Sequence, residues 1–180
     1  MAWVIRNIKR DVQIAKEIDR QEDRGAAIVA GAYLEDFILE ALKRRLVPDT
    51  AVLNEFFTGM GPLATFSAKI EMAYLMRLVD KENRQRMHAI RRIRNEFAHN
   101  MEPVTFETTR IKEMCKTLMH RRIIESFVRR ASQKFKDDTD MLAFIEKVFI
   151  PMGKVADTAR NSYINTVKVH IFYLEMGYEA

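Results

Sequence analysis

The chain has 180 residues, 48% of them hydrophobic and 31% charged, with a net charge of +5. That is enough apolar sequence to bury a core without disulfides or a structural metal, and it lies far from the composition of disordered segments. A single cysteine excludes an intramolecular disulfide, four histidines without paired spacing give no metal site, and no apolar run approaches the roughly 18 residues of a spanning helix. The expectation is one domain over residues 1–180, cytoplasmic, with no metal, no cofactor and no membrane partner.

Six glycines and four prolines are few for a fold of many short strands, so an all-α multi-helix bundle is the economical architecture. Met1-Ala2-Trp3-Val4-Ile5-Arg6 opens the chain without the apolar stretch of an export leader. Residues 24–46 carry Ala27, Ala30, Leu34, Phe37, Ile38, Ala41 and Leu42 at spacings of three and four, an apolar helical stripe that Pro48 ends. Gly25, Ala26, Ala27, Ala30, Gly31 and Ala32 at its start let another helix approach closely. Glu40 and Arg44 stand four apart, the spacing of a helical ion pair. Asp49 or Thr50 is placed to cap a short helix through Phe57, and Gly59-Met60-Gly61-Pro62 forces a loop.

Helical spacing resumes from Phe66 to Val79, with Thr65 or Ser67 as the cap. Residues 81–99 form a basic helix with Met87, Ile90, Ile93 and Phe97 on its apolar side, closed by Asn100-Met101-Glu102-Pro103. From Thr105 an apolar track runs through Ile111, Met114, Leu118, Ile123, Ile124 and Phe127, with Cys115 as a small core residue, and ends before Asp137. Residues 138–150 and 153–176 read as one helix interrupted or kinked at Pro151. The β-branched Val167, Val169 and Ile171 leave a strand open there.

The stretch Arg94-Asn95-Glu96-Phe97-Ala98-His99 carries the most chemistry. An Arg-x4-His spacing is expected about 0.4 times by chance in this composition, so its context has to supply the specificity. Five helical positions turn by about 140° and rise by about 7.5 Å, so the two side chains converge only if the helix ends near His99 or a second subunit intervenes. One reading is metal-independent RNA cleavage: a 2′-hydroxyl attacks the adjacent phosphate, the His99 imidazole moves the proton, the Arg94 fork holds the phosphorane oxygens and Asn95 orients the phosphate. The other is structural, with Arg94 paired to Glu35 or Asp36 and His99 capping a helix end.

Two basic stretches bear on nucleic acid. Residues 81–100 hold six basic against two acidic residues, Arg91 and Arg92 among them; residues 121–136 hold six against one, beginning with Arg121 and Arg122. Faces of this kind neutralise RNA phosphates when they adjoin a cleft, and otherwise are solvated helix surface. His120, beside Arg121, reads as a surface residue. Gly59-Met60-Gly61 lacks the pattern of a phosphate-binding P-loop.

Arg94-Asn95-Glu96-Phe97-Ala98-His99, following Ile90-Arg91-Arg92-Ile93, resembles the signature of HEPN-superfamily domains. Gly61-Pro62-Leu63-Ala64-Thr65-Phe66-Ser67-Ala68-Lys69-Ile70 with Ala73-Tyr74 is similar to the mannitol operon repressor family, and with Tyr33-Leu34-Glu35-Asp36 and Ala159-Arg160 the likeness covers most of residues 24–175. The resemblance implies a HEPN-like helical core with additional N- and C-terminal helices, working as a homodimer. Its repressor side implies a transcriptional regulator acting through a protein partner, such as a transcription factor or an antitoxin, without a DNA-reading helix. Its HEPN side implies a metal-independent endoribonuclease of toxin or defence type, with Arg94, Asn95 and His99 catalytic, Arg91, Arg92, Arg121 and Arg122 on RNA, and Glu35 or Asp36 as supporting polar neighbours. Relatives described as mannitol repressors do not all carry Arg-x4-His, so function varies across that resemblance.

Overall fold

A computed structural model describes residues 8–176. The opening Met1–Arg6 therefore lies outside the described residues. Within them the chain is all-helical: α1 (Ile8–Arg20), α2 (Asp23–Lys43), α3 (Thr50–Phe57), α4 (Phe66–Leu75), α5 (Lys81–His99), α6 (Thr109–Cys115), α7 (Arg121–Lys134), α8 (Thr139–Phe144), a π-helical turn at Ile145–Phe149, α9 (Ile150–Lys154) and α10 (Ala159–Met176). No helix among them is long and apolar enough to cross a membrane.

Local chemistry sets most of the boundaries. Asp49, Thr65, Asp80 and Asp138 cap α3, α4, α5 and α8, each side chain accepting from backbone N–H groups of the first turn. The loop after α3 needs its glycines: Gly59 has φ +58, and a Cβ on Gly61 would lie 2.1 Å from the Glu55 carbonyl oxygen. Three expected boundaries move. The stripe of α2 stops at Lys43 rather than 46, where the Arg45 and Leu46 N–H groups tighten onto the Leu42 and Lys43 carbonyls in a turn; the Arg44 side chain donates to the Leu174 carbonyl at 2.8 Å, the Glu40–Arg44 pair is not formed, and Glu40 lies 3.7 Å from Arg10 instead. Helix α4 ends at Leu75 rather than Val79. There the Leu78 and Arg77 N–H groups donate back to the Ala73 and Tyr74 carbonyls, with Arg77 at φ 57, a Schellman closure built on a non-glycine residue. The track from Thr105 starts late and divides: Thr105 and Thr108 bond to each other in a turn so that α6 begins only at Thr109, and turns at Lys116 and Leu118 separate α6 from α7.

The C-terminal segment is helical throughout, so the strand left open at Val167–Ile171 is not formed. Nearly every residue of α10 is buried, including Ser162, Asn165, Thr166, Lys168 and His170. A helix enclosed on all sides has no polar stripe to advertise its period, and β-branched residues are then chosen for packing. The interruption expected at Pro151 falls later: the chain stays helical across Pro151, from Thr139 through the π turn to Lys154, and residues 155–158 separate α9 from α10.

Helix α2 is the axis of the larger apolar cluster, with α10, α5 and α4 packed around Ala26, Ala27, Ala30, Leu34, Phe37 and Ile38. A second cluster joins α7, α8, the π turn and α9 to Val169 and Phe172 of α10 through a network of rings. Helix α10 belongs to both.

Candidate functional site

The Arg94 side chain is held where α5 meets α2. A Cβ on Gly31 would stand 2.8 Å from Arg94 Cγ and 3.3 Å from the Tyr163 hydroxyl, so only glycine admits the arginine stem at this crossing. Tyr163 is fully buried on α10 and donates to the Ala27 carbonyl at 2.8 Å, which closes the third side. Burial pushes its phenol well above the ordinary range, so it remains a neutral donor. Arg94 Nη1 donates to Asn95 Oδ1 at 3.2 Å, and its Nε is buried without a hydrogen-bond partner.

The carboxylates proposed for Arg94 face elsewhere. Glu35 takes Lys69 Nζ at 2.6 Å, and Asp36 is exposed, its carboxyl pushed up by partial burial and by the neighbouring Glu35 charge. Neither pairs with Arg94. His99 is the last residue of α5 and exposed; Asn100 takes the capping position, and the imidazole has no hydrogen bond among the described residues. Because α5 stays helical through His99, the separation of about 140° and 7.5 Å between positions 94 and 99 applies within one chain. Asn95 links them: it bonds Arg94 and lies one helical turn before His99 on the same face.

The charges of α5 divide along its length. In its first half Arg84 forms a fork on Glu71 at 2.7 and 2.8 Å, and Arg86 is held by Glu82 and Asn83. In its second half Arg91, Arg92 and Arg94 have no ion pair among the described residues, and Glu96, the one carboxylate there, is taken by Arg110 at 2.6 Å. Arg121 is spent on Glu125 at 2.8 Å, whereas Arg122 is exposed with no ion pair among the described residues; no hydrogen bond or ion pair among them joins either to Arg94 or His99.

Sequence reasoning missed the clamp that holds this end of α5. Arg24 donates to the carbonyls of Asn100 and Glu102 at 3.0 and 2.9 Å, Asp23 accepts from the Phe106 N–H at 2.8 Å, and Arg160 bridges Asp23 and the Gln21 carbonyl. The start of α2 thereby fixes both the loop after His99 and the start of α10. The only trace of this in the sequence is the Asp23-Arg24 pair ahead of the small-residue stripe. Among the described residues no group of His, Cys, Asp and Glu gathers to hold a metal ion. No family model, curated protein or solved structure matches the chain.

Proposed function

We propose that the chain is an RNA-directed regulatory protein whose C-terminal half of α5 binds phosphates and, in a dimer, cleaves RNA without a metal. The observation that carries this reading is that Arg91, Arg92 and Arg94 in the C-terminal half of α5 have no ion pair among the described residues and that the helix ends in an exposed imidazole with no hydrogen bond among them. Three guanidinium groups within four residues of one helix and without carboxylate partners raise the local positive potential, which an anionic ligand relieves. Within one chain Arg94 and His99 diverge, so a second copy supplies the complementary member of each pair. In the reaction His99 takes the 2′-hydroxyl proton as that oxygen attacks phosphorus, Arg94 holds the charge of the phosphorane, and the P–O5′ bond breaks with a proton returned from an imidazolium. The products are a 2′,3′-cyclic phosphate and a 5′-hydroxyl.

Incubation with single-stranded RNA in EDTA tests it. Cyclic-phosphate ends are expected from the parent protein, with His99→Ala slower by about 100-fold or more and Arg94→Lys also impaired, because an ammonium lacks the planar fork. RNA left intact by a folded, dimeric parent protein would remove the enzymatic reading. A second reading, a repressor-like regulator working through a protein partner, is favoured by Val52 and Phe56, one turn apart on α3 and both exposed. It predicts that Phe56→Ser abolishes partner capture while leaving RNA untouched.

A further inference from the structure

A groove of about 210 Å³ lies between α1, α10 and the segment that runs from the π turn into α9. Helix α10 lines it with Ile164, Asn165 and Lys168, three and four positions apart on one face. Val148 and Met152 supply apolar wall, and Lys16 of α1 and Lys147 of the π turn, both exposed, have no ion pair among the described residues. Two polar groups here are more than nine-tenths buried and still reachable. Asn165 is 7% exposed; its amide makes no hydrogen bond among the described residues, and neither of its polar atoms is sealed from solvent, unlike Nε2 of His170. Lys168 is 8% exposed, and one of its three N–H groups is taken, by Asp19 Oδ1 at 2.6 Å. Thr166, buried on the same helix, donates to the Ser162 carbonyl and accepts from the Met119 N–H, so its polarity serves the fold. That of Asn165 does not.

We infer that this groove binds a small organic carboxylate with a short apolar body, about the size of hexanoate. The carboxylate takes the Asn165 amide N–H and a spare Lys168 N–H, which stand one turn apart on α10, and the body lies along Val148, Met152 and Ile164. Three lysines and one aspartate line the groove, so it is net positive, and Lys16 and Lys147 attract the anion to its mouth. The volume is that of about seven waters, which admits a chain of a few carbons and excludes a nucleotide. Apolar walls with a few convergent polar groups are the usual make-up of a small-molecule site. One ammonium and one planar amide match the two oxygens of a carboxylate. Water would satisfy the amide alone. An anion also stabilises the Lys168 ammonium, which burial disfavours, lowering its pKa, while the Asp19 hydrogen bond and charge oppose.

The site does not depend on the RNA-cleaving reading. Titration of the full chain with hexanoate, followed by NMR at the Asn165 side-chain amide, tests it. Hexan-1-ol keeps the body without the charge, acetate keeps the charge without the body, and inorganic phosphate is a different anion. A saturable shift with Kd of about 1 mM or tighter is expected for hexanoate, the range open to so small a ligand, with the other three weaker by about tenfold or more. Asn165→Leu should weaken hexanoate by about tenfold while keeping or raising Tm, because it removes an unpaired buried amide. Lys168→Met, which retains the apolar stem, should weaken it by about as much. Lys147→Ala, on the surface, should cost about twofold, and less at high salt. No shift at about 20 mM hexanoate, or an affinity indifferent to Asn165→Leu and Lys168→Met, would overturn the proposal and leave ordered water as the partner of the amide. Hexan-1-ol or phosphate binding as tightly as hexanoate would overturn it too, the first by removing the need for a charge and the second by removing the need for a body.

Discussion

Around α2 the helices come close because small residues let them: Ala26, Ala27, Ala30 and Gly31 bring α5 and α10 near enough for an arginine stem and a tyrosine hydroxyl to share one crossing. Between α7 and α9 the filling is done by rings instead. Phe127, Phe149 and Phe172 meet edge to face at centroid distances of 5.0–5.4 Å, with Phe135 and Phe144 around them. The contrast is between backbone proximity, which fixes the direction of a functional side chain, and bulky side chains, which span wider gaps and leave room for a cavity at their edge. The candidate RNA site lies with the first.

The sharpest test of that division is Phe172→Ala. It removes the ring touched by four other phenylalanines and should cost about 3–5 kcal/mol in urea denaturation. One transition is expected, because α10 carries both clusters; two separated transitions would show that the clusters fold independently. Acid comes next. His170 is held to about 4 in the fold against an ordinary 6.5, so between those values the unfolded chain binds more protons and stability falls as pH drops, by up to about 3 kcal/mol. His170→Leu should flatten that part of the Tm–pH curve, and an unchanged slope would refute the buried neutral imidazole.

Smaller effects probe the α2 side. Gly31→Ala gains helix propensity but drives a methyl into Arg94, for a net loss of about 1 kcal/mol. RNA cleavage should fall far more than stability does, and retained activity would mean that the direction of Arg94 is not critical. Arg77→Gly relieves a left-handed residue at the end of α4 and should stabilise by something under about 1 kcal/mol, read as a small rise in Tm.

These two regions were unequally legible in the sequence. Helix α2, the caps at Asp49 and Thr65 and the basic helix α5 follow from period, capping chemistry and glycine placement, all local signals. Helix α10 is read as helical with a strand left open, because a helix buried over most of its surface loses its amphipathic period, and Val167, Val169 and Ile171 then imitate a strand. At the candidate site the residues were legible but their partners were not. That Glu35 belongs to Lys69 rather than Arg94 depends on how α4 packs on α2, and the Arg24 clamp joins residues more than 70 positions apart. Arg86 and His170 carried one readable sign, since each interrupts an apolar helical face or run without an apolar reason.

The π turn at Ile145–Phe149 has a consequence for the phase of the chain. Its wider bond, from the Ile150 N–H to the Ile145 carbonyl, accommodates one residue more than an α-helix would over the same length. Were that residue deleted, everything after it would rotate by about 100°. Met152, now buried among the rings, would swing off the cluster, and the approach to the 155–158 break would be re-aimed. The turn thus acts as a frame correction, bringing two helical pieces that would otherwise be out of step onto one apolar face.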